Sequence, residues 1–391
     1  MGTVCKRCVM DTSDPLIHFD DKGYCNHCSN FLSKAPRCWF PNDTGRDMLL
    51  AKIKDIKKAG KGKDYDCLIG LSGGVDSSYL AYKMKEYDLR ALVFHVDAGW
   101  NSELAQKNIE NICKQLGYDL YTHVVDWEEM KDLQLAFLRA AVANQDVPQD
   151  HIFFAVLFKT AAARNISYWI SGSNYATESI LPSAWGYTAM DSRLLFSIHR
   201  RFGSRPLKTY VTLSFTEYCR YYLGYPSLDP VQSFAPLNLM AYNVIEAKKE
   251  LAERIGWRDY GKKHYESRFT KFFQGHYLPT KFGYDKRRAH LSSLIISGTL
   301  TRDEALAELA KPLYPPEELR EDKAFILKKL GLTPEEWEQL MALPNRSFAD
   351  YPNYEQWFKW ALRLKGVPRR LASCPSSLYA LAGRILGKKF F

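Results

Sequence analysis

The sequence predicts an α/β protein in which a parallel sheet follows a small four-cysteine module and precedes a mostly helical region. Short apolar segments of strand composition alternate with helical patterns from Asp66 to Ser171, as in parallel sheets covered by helices. Two Cys-x-x-Cys pairs precede this segment, and helix-capping signals dominate after it. The length of 391 residues allows two or three domains.

The chain divides by pattern into five segments. We expect a cysteine module over residues 1–34, a linker and helix over 35–62, the α/β domain over 63–200, a further helical region over 201–315 and a basic helical appendix over 316–391.

The first segment predicts a metal site. Cys5 and Cys8 form one pair, Cys25 and Cys28 form the other, and sixteen residues separate the pairs. This spacing is typical of a tetrahedral four-cysteine zinc site in a zinc-ribbon module. His27 offers a less favoured replacement for one thiolate, and an iron–sulfur cluster is the less favoured alternative to zinc.

The segment from Leu71 to Ser78 predicts a phosphate-binding loop. It follows an apolar strand, Cys67 to Gly70, and precedes a helical pattern. Glycines let the backbone approach an anion closely, and the free N–H groups of the first helical turn point toward it. The residues expected to bind the phosphates are Ser72, Gly73, Gly74, Asp76, Ser77 and Ser78.

The loop lacks the lysine of a G-x-x-x-x-G-K-[ST] loop. Its Ser-Gly-Gly-x-Asp-Ser string resembles instead the pyrophosphatase-type ATP loop (PP-loop) of adenylating synthetases and tRNA thiolases. The resemblance implies an adenine-nucleotide α-hydrolase-like (HUP) domain, ATP as cofactor and cleavage between the α- and β-phosphates. A carboxylate such as Asp76 beside a triphosphate needs a cation between them, so magnesium is implied.

The remaining strand ends are expected at the same edge of the sheet as the loop. Predicted strands end at Asp97, at Asp126 and at Gly172, and ligands of such sheets lie beyond the carboxyl ends of the strands. We therefore expect His95, Asp97 and Gly172 near the nucleotide. Glu178 either shares the magnesium with Asp76 or is a carboxylate favoured by a helix start.

Several motifs together resemble one family, the N-acetyl sugar amidotransferases of lipopolysaccharide and surface-polysaccharide synthesis. They are Cys-Lys-Arg-Cys-Val-Met-Asp-Thr-Ser, Gly-Tyr-Cys-Asn-His-Cys, the Leu71–Ser78 loop, the string from Gly172 to Tyr187 and the string from Lys281 to Ser292. The resemblance covers roughly residues 4–310. It implies adenylation of the acetamido oxygen of a nucleotide-linked sugar, after which ammonia displaces AMP and leaves an acetamidino group.

The resemblance and the clustering of basic residues after position 200 indicate further site residues. We expect Lys281 and Lys286 to act in catalysis with Asp76 and Glu178, and basic side chains to hold the diphosphate of the sugar nucleotide or the pyrophosphate. About half of these basic residues are expected to be ordinary surface charges. The predicted substrate-binding residues are Asn174, Thr177, Trp185, His264, Arg268 and Arg287.

The source of nitrogen predicts partner proteins. None of the isolated cysteines, Cys38, Cys67, Cys113, Cys219 and Cys374, stands in the glycine-flanked turn of a glutaminase nucleophile. We therefore expect a separate glutaminase subunit, and the family resemblance adds a channel-forming, cyclase-like subunit.

Charge is concentrated at the C-terminus. The net charge is +10, but eight basic residues and no acidic residue follow Glu355. The rest of the chain is therefore nearly neutral, and nucleic-acid coating is not expected. The basic tail fits a solvated helix face best, while a membrane surface, an acidic partner or a nucleic acid stays open. No apolar run reaches the ~18–20 residues of a membrane span, so we expect a cytoplasmic protein.

Two other functions share some of these features. A tRNA-modifying adenylating enzyme, of thiolase or lysidine-synthetase type, would use the same loop. Thiolases usually need a reactive cysteine pair beside the ATP site, and both pairs here stand at the N-terminus. A non-catalytic nucleotide-binding subunit is the third hypothesis, against which the intact Asp76 argues.

Overall fold

A computed structural model describes residues 2–221, 231–261 and 265–364, with only the backbone described for 221 and 361–364. The predicted substrate residue His264 and most of the basic tail lie outside these residues. The fold consists of a parallel sheet with helices on both faces, an N-terminal cysteine module and a helical C-terminal region. This confirms the predicted fold class.

The sheet has five parallel strands in the order β3-β2-β1-β4-β5. The strands are β1 (Cys67–Gly70), β2 (Ala91–Asp97), β3 (Asp119–Val124), β4 (Tyr168–Ile170) and β5 (Gln232–Phe234). Leu68 in the central strand pairs with Leu92 on one side and Trp169 on the other. Four strands were predicted within two residues of their ends, and β5 was not predicted.

Helices cover both faces because successive strand residues point to opposite sides. Cys67, Ile69 and Val93 join the core on one face, and Leu68 and Leu92 join the core on the other. The helices of this part are α3 (Val75–Lys85), α4 (Glu103–Leu116), α5 (Trp127–Ala140), α6 (Val147–Ala163), α7 (Tyr175–Glu178), α8 (Ser192–Phe202), α9 (Phe215–Tyr221) and α10 (Val244–Ile255).

Two helices join the cysteine module to the sheet, α1 (Asn26–Cys38) and α2 (Asp43–Ala59). The sequence predicted a linker at the start of residues 35–62, but α1 continues through Pro36 to Cys38. The proline removes one backbone donor near the end of the helix, where the loss is tolerated because Phe31 packs against Trp39 and Tyr175.

The C-terminal region is helical, as predicted. It contains α11 (Arg268–Phe272), a π-helical turn (Phe273–Tyr277), α12 (Leu278–Phe282), α13 (Lys286–Ile296), α14 (Arg302–Ala310), α15 (Pro316–Leu330), α16 (Pro334–Ala342) and α17 (Tyr354–Leu364). Capping boxes at Thr301 and Thr333 open α14 and α16. Among the described residues, no helix has the length and apolarity required to cross a membrane.

The cysteine module docks on α13 and α14 through polar contacts. Arg302 donates to the carbonyls of Cys5 and Cys8, both at 3.1 Å. Arg288 donates to the Val9 carbonyl at 2.8 Å, and the Val9 amide donates to Ser292 Oγ at 3.1 Å. The module is thereby fixed to the C-terminal region.

Candidate functional site

The loop between β1 and α3 has the backbone geometry of an anion site. Gly73 has a φ of +80°, and a side-chain carbon there would lie 2.6 Å from the carbonyl oxygen of Ala105. Only glycine fits a position with this φ and so close a backbone neighbour. The Gly73 carbonyl accepts a hydrogen bond from Trp257 Nε1 at 3.0 Å, which holds the turn in place.

Asp76 lies in the first turn of α3 and is held by two donors. Asn174 Nδ2 donates to its Oδ1 at 3.2 Å, and the Tyr242 hydroxyl donates to the same oxygen. Burial raises the pKa of Tyr242, and the charges of Asp76 and Glu178 raise it further. Tyr242 therefore stays protonated as a donor to Asp76, and Glu178 lines the same cavity as Asp76.

A cavity of about 230 Å³ opens over the loop. It is lined by Gly70, Ser72, Gly74, Val75, Asp76, Ser77, Phe153, Phe154, Trp169, Ser171, Gly172, Ser173, Glu178, Tyr260 and Glu266. Six residues predicted for the nucleotide and metal are in this set: Ser72, Gly74, Asp76, Ser77, Gly172 and Glu178. A side-chain carbon at Gly172 would lie 3.1 Å from the Ser77 amide, so glycine permits the close packing of this wall.

The cavity combines carboxylates with an aromatic wall. Asp76, Glu178 and Glu266 supply three carboxylates, and among the described residues that line the cavity there is no lysine or arginine. A polyphosphate would meet these negative charges, so its binding requires cations. The carboxylate oxygens of Asp76 and Glu178 fit magnesium, which prefers oxygen ligands. Phe153, Phe154 and Trp169 offer ring faces for a purine.

Glu266 and Tyr260 close the cavity from the C-terminal side. Tyr260 accepts a hydrogen bond from the Val75 amide at 3.0 Å. Burial raises the pKa of Tyr260, and the Glu266 charge adds to the rise. A side-chain carbon at Gly74 would lie 3.3 Å from Glu266 Oε1. The structure thus places Glu266 beside the phosphate loop.

Several predicted ligand residues support the cavity instead of lining it. His95 is buried: its Nδ1 contacts the Leu71 carbonyl at 2.9 Å, and burial lowers its pKa. Asp97 accepts from the Gly99 amide at 2.8 Å. Ser78 is buried one position beyond Ser77, which turns its side chain toward the core. The predicted role of these side chains is therefore corrected: they support the loop and the strand ends and do not contact the ligand.

Asn174 and Thr177 also change role. Asn174 is 4% exposed, orients Asp76 and accepts the Thr177 amide at 2.9 Å as the cap of α7. Thr177 is equally buried. Neither side chain lines the cavity, so both hold the wall that carries Glu178 and do not present a substrate surface.

The predicted basic and aromatic substrate residues lie outside the loop cavity. Arg268 donates to Asp322 at 2.5 Å and lines a separate pocket with Lys271 and Lys329. Arg287 pairs with Asp285 and donates to the carbonyls of residues 308 and 311 at the end of α14. The structure thus gives Arg287 a capping role. Lys286 opens α13 and does not line the loop cavity.

Trp185 belongs to the packing of the cysteine module. It is 1% exposed and stacks on Tyr284 with ring centroids 5.3 Å apart. It shares a hydrophobic cluster with the four module cysteines. The predicted substrate contact at Trp185 is therefore corrected, because its ring has no accessible face for a ligand.

Lys281 was predicted to be catalytic, and the structure corrects this prediction. Its ammonium donates to the carbonyls of Leu340, Met341 and Leu343, at 3.3, 2.9 and 2.6 Å. These carbonyls end α16, where a cation is favoured by the helix dipole. Lys281 joins α12 to α16 and is absent from the cavity lining.

We expect Lys281→Ala to reduce stability by about 1 kcal/mol, because three helix-end carbonyls lose their donor. Turnover should stay within about twofold of the wild type, since the side chain does not line the cavity over the phosphate loop. Chemical denaturation and steady-state assays measure both, with exposed Lys328→Ala as the control. A large loss of turnover with unchanged stability would restore the catalytic assignment.

The four module cysteines form a site able to hold a metal. Their sulfur atoms lie within 4.8 Å of one another, and all four residues are fully buried. Side-chain hydrogen bonds from Cys25 and Cys28 lower the pKa of Cys5, and backbone amides of Arg7 and Cys25 also donate to its sulfur. Four converging sulfurs with amide donors fit a tetrahedral metal centre.

We expect the purified protein to contain one zinc per chain, and Cys5→Ser to lose it. The variant should melt roughly 5 °C lower or more, because few apolar residues hold the module without metal. Cys38→Ser, which changes a cysteine outside the cluster, should keep both zinc and melting temperature. Iron with visible absorbance would contradict the zinc assignment.

Four residues around the cavity gave no recognisable sequence signal. Tyr242 and Tyr260 come from irregular segments far along the chain, and their contacts with Asp76 and Val75 depend on the tertiary fold. Phe153 and Phe154 belong to an apolar helix that indicates a core. A sequence hint of a cleft is the glycine at position 70, at the end of β1. A side-chain carbon there would lie 3.2 Å from the Phe153 ring.

Comparison with known families finds a match in the C-terminal region. Residues 266–365 match the family described as "LPS biosynthesis protein WbpG-like, C-terminal domain". This part of the chain is therefore similar to a domain of lipopolysaccharide biosynthesis proteins, in agreement with the family resemblance seen in the motifs. The matched domain begins at Glu266, the carboxylate beside Gly74.

Other similarities are local or distant. A curated tRNA(Ile)-lysidine synthase of Chlamydia pneumoniae is 35% identical over 97 residues, which are 24% of this chain and 28% of that protein. The chain thus spans little more than a quarter of that relative.

Two solved structures share 16% and 12% identity with the chain. They are an NH3-dependent NAD synthetase from Campylobacter jejuni and the U34-tRNA thiolase NcsA from Methanococcus maripaludis. The first similarity covers 74% of this chain and 97% of the synthetase, and the second covers 80% and 90%. Their TM-scores are 0.30 and 0.33, too low to assign an activity.

Proposed function

We propose that this protein is an ATP-dependent amidotransferase that converts the acetamido group of a nucleotide-linked N-acetyl sugar to an acetamidino group. The proposal is carried by one observation: the cavity over the phosphate loop is lined by Asp76 and Glu178 and also by Glu266, the first residue that matches a lipopolysaccharide biosynthesis domain. The proposed nucleotide site and the segment similar to a lipopolysaccharide biosynthesis domain therefore contribute to the same cavity.

The reaction has two steps whose atoms balance. The acetamido oxygen attacks the α-phosphorus of ATP, the bond to the bridging oxygen breaks, and pyrophosphate leaves. Ammonia then attacks the activated carbon and loses a proton, and AMP leaves with the former acetamido oxygen. An acetamide alone is a poor electrophile, and adenylation makes its oxygen a good leaving group.

The chain supports this chemistry by positioning. The α3 N-terminus and the Ser72 and Ser77 hydroxyls offer donors for phosphate oxygens. Asn174 and Tyr242 orient Asp76, and Gly172 lets the Glu178 wall approach. Asp76 and Glu178 would hold magnesium, which when bound neutralises charge on the departing pyrophosphate. The buried four-cysteine centre is placed for structure, not for catalysis.

The nitrogen source is part of the proposal. Ammonia is largely protonated at neutral pH and is then not a nucleophile, so delivery from a partner is more effective than capture from solution. We propose a separate glutaminase with a channel-forming, cyclase-like subunit. The purified chain should turn over with ammonium at alkaline pH but not with glutamine. Glutamine-driven turnover without a partner would contradict the partner proposal.

The test uses ATP, magnesium, ammonium and a panel of UDP-linked acetamido sugars. The expected result is AMP together with a sugar product about one mass unit lighter, because an NH group replaces an oxygen atom. ADP formation, or AMP formation with an unchanged sugar, would contradict the proposal.

A tRNA-modifying activity is the second candidate, favoured by the local similarity to a lysidine synthase. The three carboxylates and the absence of a described basic residue in the cavity lining oppose it, since nucleic-acid sites are basic. Transfer RNA in place of the sugar nucleotides should give no AMP. Transfer-RNA-dependent AMP formation would establish this candidate instead.

A further inference from the structure

A second pocket, the β2 pocket, lies at the carboxyl end of β2, next to the cavity over the phosphate loop. It has a volume of about 390 Å³, and residues 99–103, which lead from β2 into α4, line one side of it. It shares no lining residue with the loop cavity. Since β1 and β2 are neighbouring parallel strands, their carboxyl ends open at the same edge of the sheet, where ligands of such folds bind.

The two pockets meet at one peptide bond. Tyr265 lines the β2 pocket, and the next residue, Glu266, lines the loop cavity. The Ser102 amide donates to the Glu266 carbonyl at 2.8 Å, and the Arg268 amide donates to the Trp100 carbonyl at the same distance. The segment that closes the loop cavity on one side therefore also forms a wall of the β2 pocket.

The β2 pocket is lined by more positive than negative side chains. Its cations are Arg268, Lys271 and Lys329, and its described acids are Glu103 and Asp322. Lys271 pairs with Asp322 at 2.8 Å and with Glu318 at 2.9 Å, so its charge is already neutralised. Arg268 donates to Asp322 only through Nε, and its two terminal nitrogens form no hydrogen bond among the described residues. Lys329 has no carboxylate partner in the described part of the chain, so both side chains keep charge or donors for an anion.

Two of these cations lie beside the same ring. The Arg268 guanidinium is 3.9 Å from the centroid of the Phe325 ring, and the Lys329 ammonium is 5.7 Å from it. Burial lowers the pKa of Lys329, the Asp97 charge offsets part of this effect, and the Arg268 charge lowers the pKa further. The two positive charges therefore repel each other, and an anion bound between them would relieve the repulsion.

Aromatic side chains complete the β2 pocket. Tyr265 and Phe325 line it and are half-buried, so part of each ring is accessible. Trp100 is 2% exposed, and its indole Nε1 is buried without a hydrogen-bond partner among the described residues. Aromatic rings stack on nucleobases, and cations with several donors suit phosphate oxygens. The combination fits a nucleoside diphosphate.

We propose that the β2 pocket binds the nucleoside diphosphate part of the sugar nucleotide, with Arg268 and Lys329 on the diphosphate and Tyr265 against the base. This inference rests on the proposed function and names the part of the substrate that the second pocket holds. An acetamido group on a sugar ring is separated from the diphosphate on the anomeric carbon by no more than that ring. The diphosphate must therefore lie beside the adenylation site, as the β2 pocket does.

The test measures binding of UDP, dTDP and GDP to the full chain by titration calorimetry in magnesium-free buffer. Without magnesium the carboxylates of the loop cavity should repel a polyphosphate, whereas the β2 pocket supplies its own cations. At least one of the three nucleotides should bind. Lys329→Met should weaken that binding about tenfold, because a charge-assisted hydrogen bond is lost. The matched control is Lys328→Met, which removes the exposed neighbouring charge on α15 and should keep wild-type affinity.

A second variant tests the base contact without changing a charge. Tyr265→Ala should weaken nucleoside diphosphate binding about fivefold or more, the effect of one lost stacking contact. Its binding of inorganic pyrophosphate, which has no base, should equal that of the wild type. Equal weakening of both ligands would contradict the placement of the base against Tyr265. Melting temperatures show that each variant is folded under the conditions of the titration.

ATP is the other source of a diphosphate, and its binding distinguishes the two. In Lys329→Met the affinity for ATP with magnesium should stay within about twofold of the wild type. Weaker ATP binding with unchanged nucleoside diphosphate binding would assign the cations to ATP and overturn the proposal. Absence of binding by all three nucleotides, or equal weakening by Lys328→Met, would also overturn it. Nucleoside diphosphate binding that depends on Lys329 would support the pocket even if no acetamidino product formed, so the failures of the two proposals are distinguishable.

Discussion

Asp76→Asn is expected to fold normally and to lose AMP formation by a factor on the order of 100 or more, since stabilisation by a bound metal is worth several kcal/mol. The amide keeps the size of the side chain and its contacts with Asn174 and Tyr242. It removes the negative charge that would hold magnesium beside Glu178. Steady-state AMP release over a magnesium titration measures the effect.

The matched control for this prediction is Asp55→Asn, which removes a carboxylate from an exposed position on α2. Its AMP formation should equal that of the wild type. Asp76→Asn should also require more magnesium for any residual turnover. Wild-type rates in Asp76→Asn at limiting magnesium would show that the metal and phosphate site lies elsewhere.

Gly73→Ala is expected to abolish ATP binding and to destabilise the protein by roughly 3 kcal/mol or more, because strain and a clash combine there. The added methyl group would meet the Ala105 carbonyl oxygen at 2.6 Å while the backbone holds a φ of +80°. The turn must shift to relieve this contact, and the amides of the loop then lose their common direction. Chemical denaturation and equilibrium ATP binding measure the two effects.

Gly62→Ala separates strain from the clash. Gly62 has a φ of +76°, close to that of Gly73, but nothing lies within 4 Å of its side-chain position. Its variant should lose only about 1 kcal/mol and keep ATP binding. Equal destabilisation in the two variants would mean that the contact with Ala105 does not shape the loop. A side-chain carbon at Gly74 would lie 3.1 to 3.3 Å from its nearest neighbours, which are side-chain atoms. Gly74→Ala should therefore destabilise the protein less than Gly73→Ala.

The parts of the site that the sequence predicted are local in the chain. The loop from Ser72 to Ser77 was recognisable because strand, glycines and helix start are consecutive, and the rule on strand ends brought Gly172 and Glu178 to it. The four cysteines were recognisable by spacing, because a tetrahedral site restricts the distance between ligand pairs. Glu178 could be assigned to the site only by the rule that ligands bind beyond the carboxyl ends of parallel strands, because a carboxylate is also common at a helix start.

The parts that the sequence could not predict depend on contacts between distant segments. Lys281 lies in a motif of the family, yet its ammonium binds carbonyls about sixty residues later, at the end of α16. Trp185 has a large aromatic ring of the kind that often contacts ligands, but the cysteine module covers this ring. Tyr242 reaches Asp76 only because β5 brings its segment to the sheet edge. Burial and partners, which sequence does not show, decide these roles.

Hydrogen bonds through α13 connect the cysteine module to the segment that carries Glu178. The module fixes α13 through Ser292, and the next residue, Ser293, accepts the Ile180 amide at 3.0 Å. Ser297 on the same helix donates to the Ala176 carbonyl at 2.9 Å. Loss of the module metal should therefore loosen the wall that carries Glu178.

The central claim is that the acetamido oxygen is adenylated in the cavity over the phosphate loop. The measurement that tests it most directly is the fate of ¹⁸O placed in the acetamido carbonyl of the sugar nucleotide that turns over. We predict that the label appears in the phosphate of AMP and that the acetamidino product retains none. Unlabelled AMP, or label retained in the sugar product, would contradict adenylation of that oxygen.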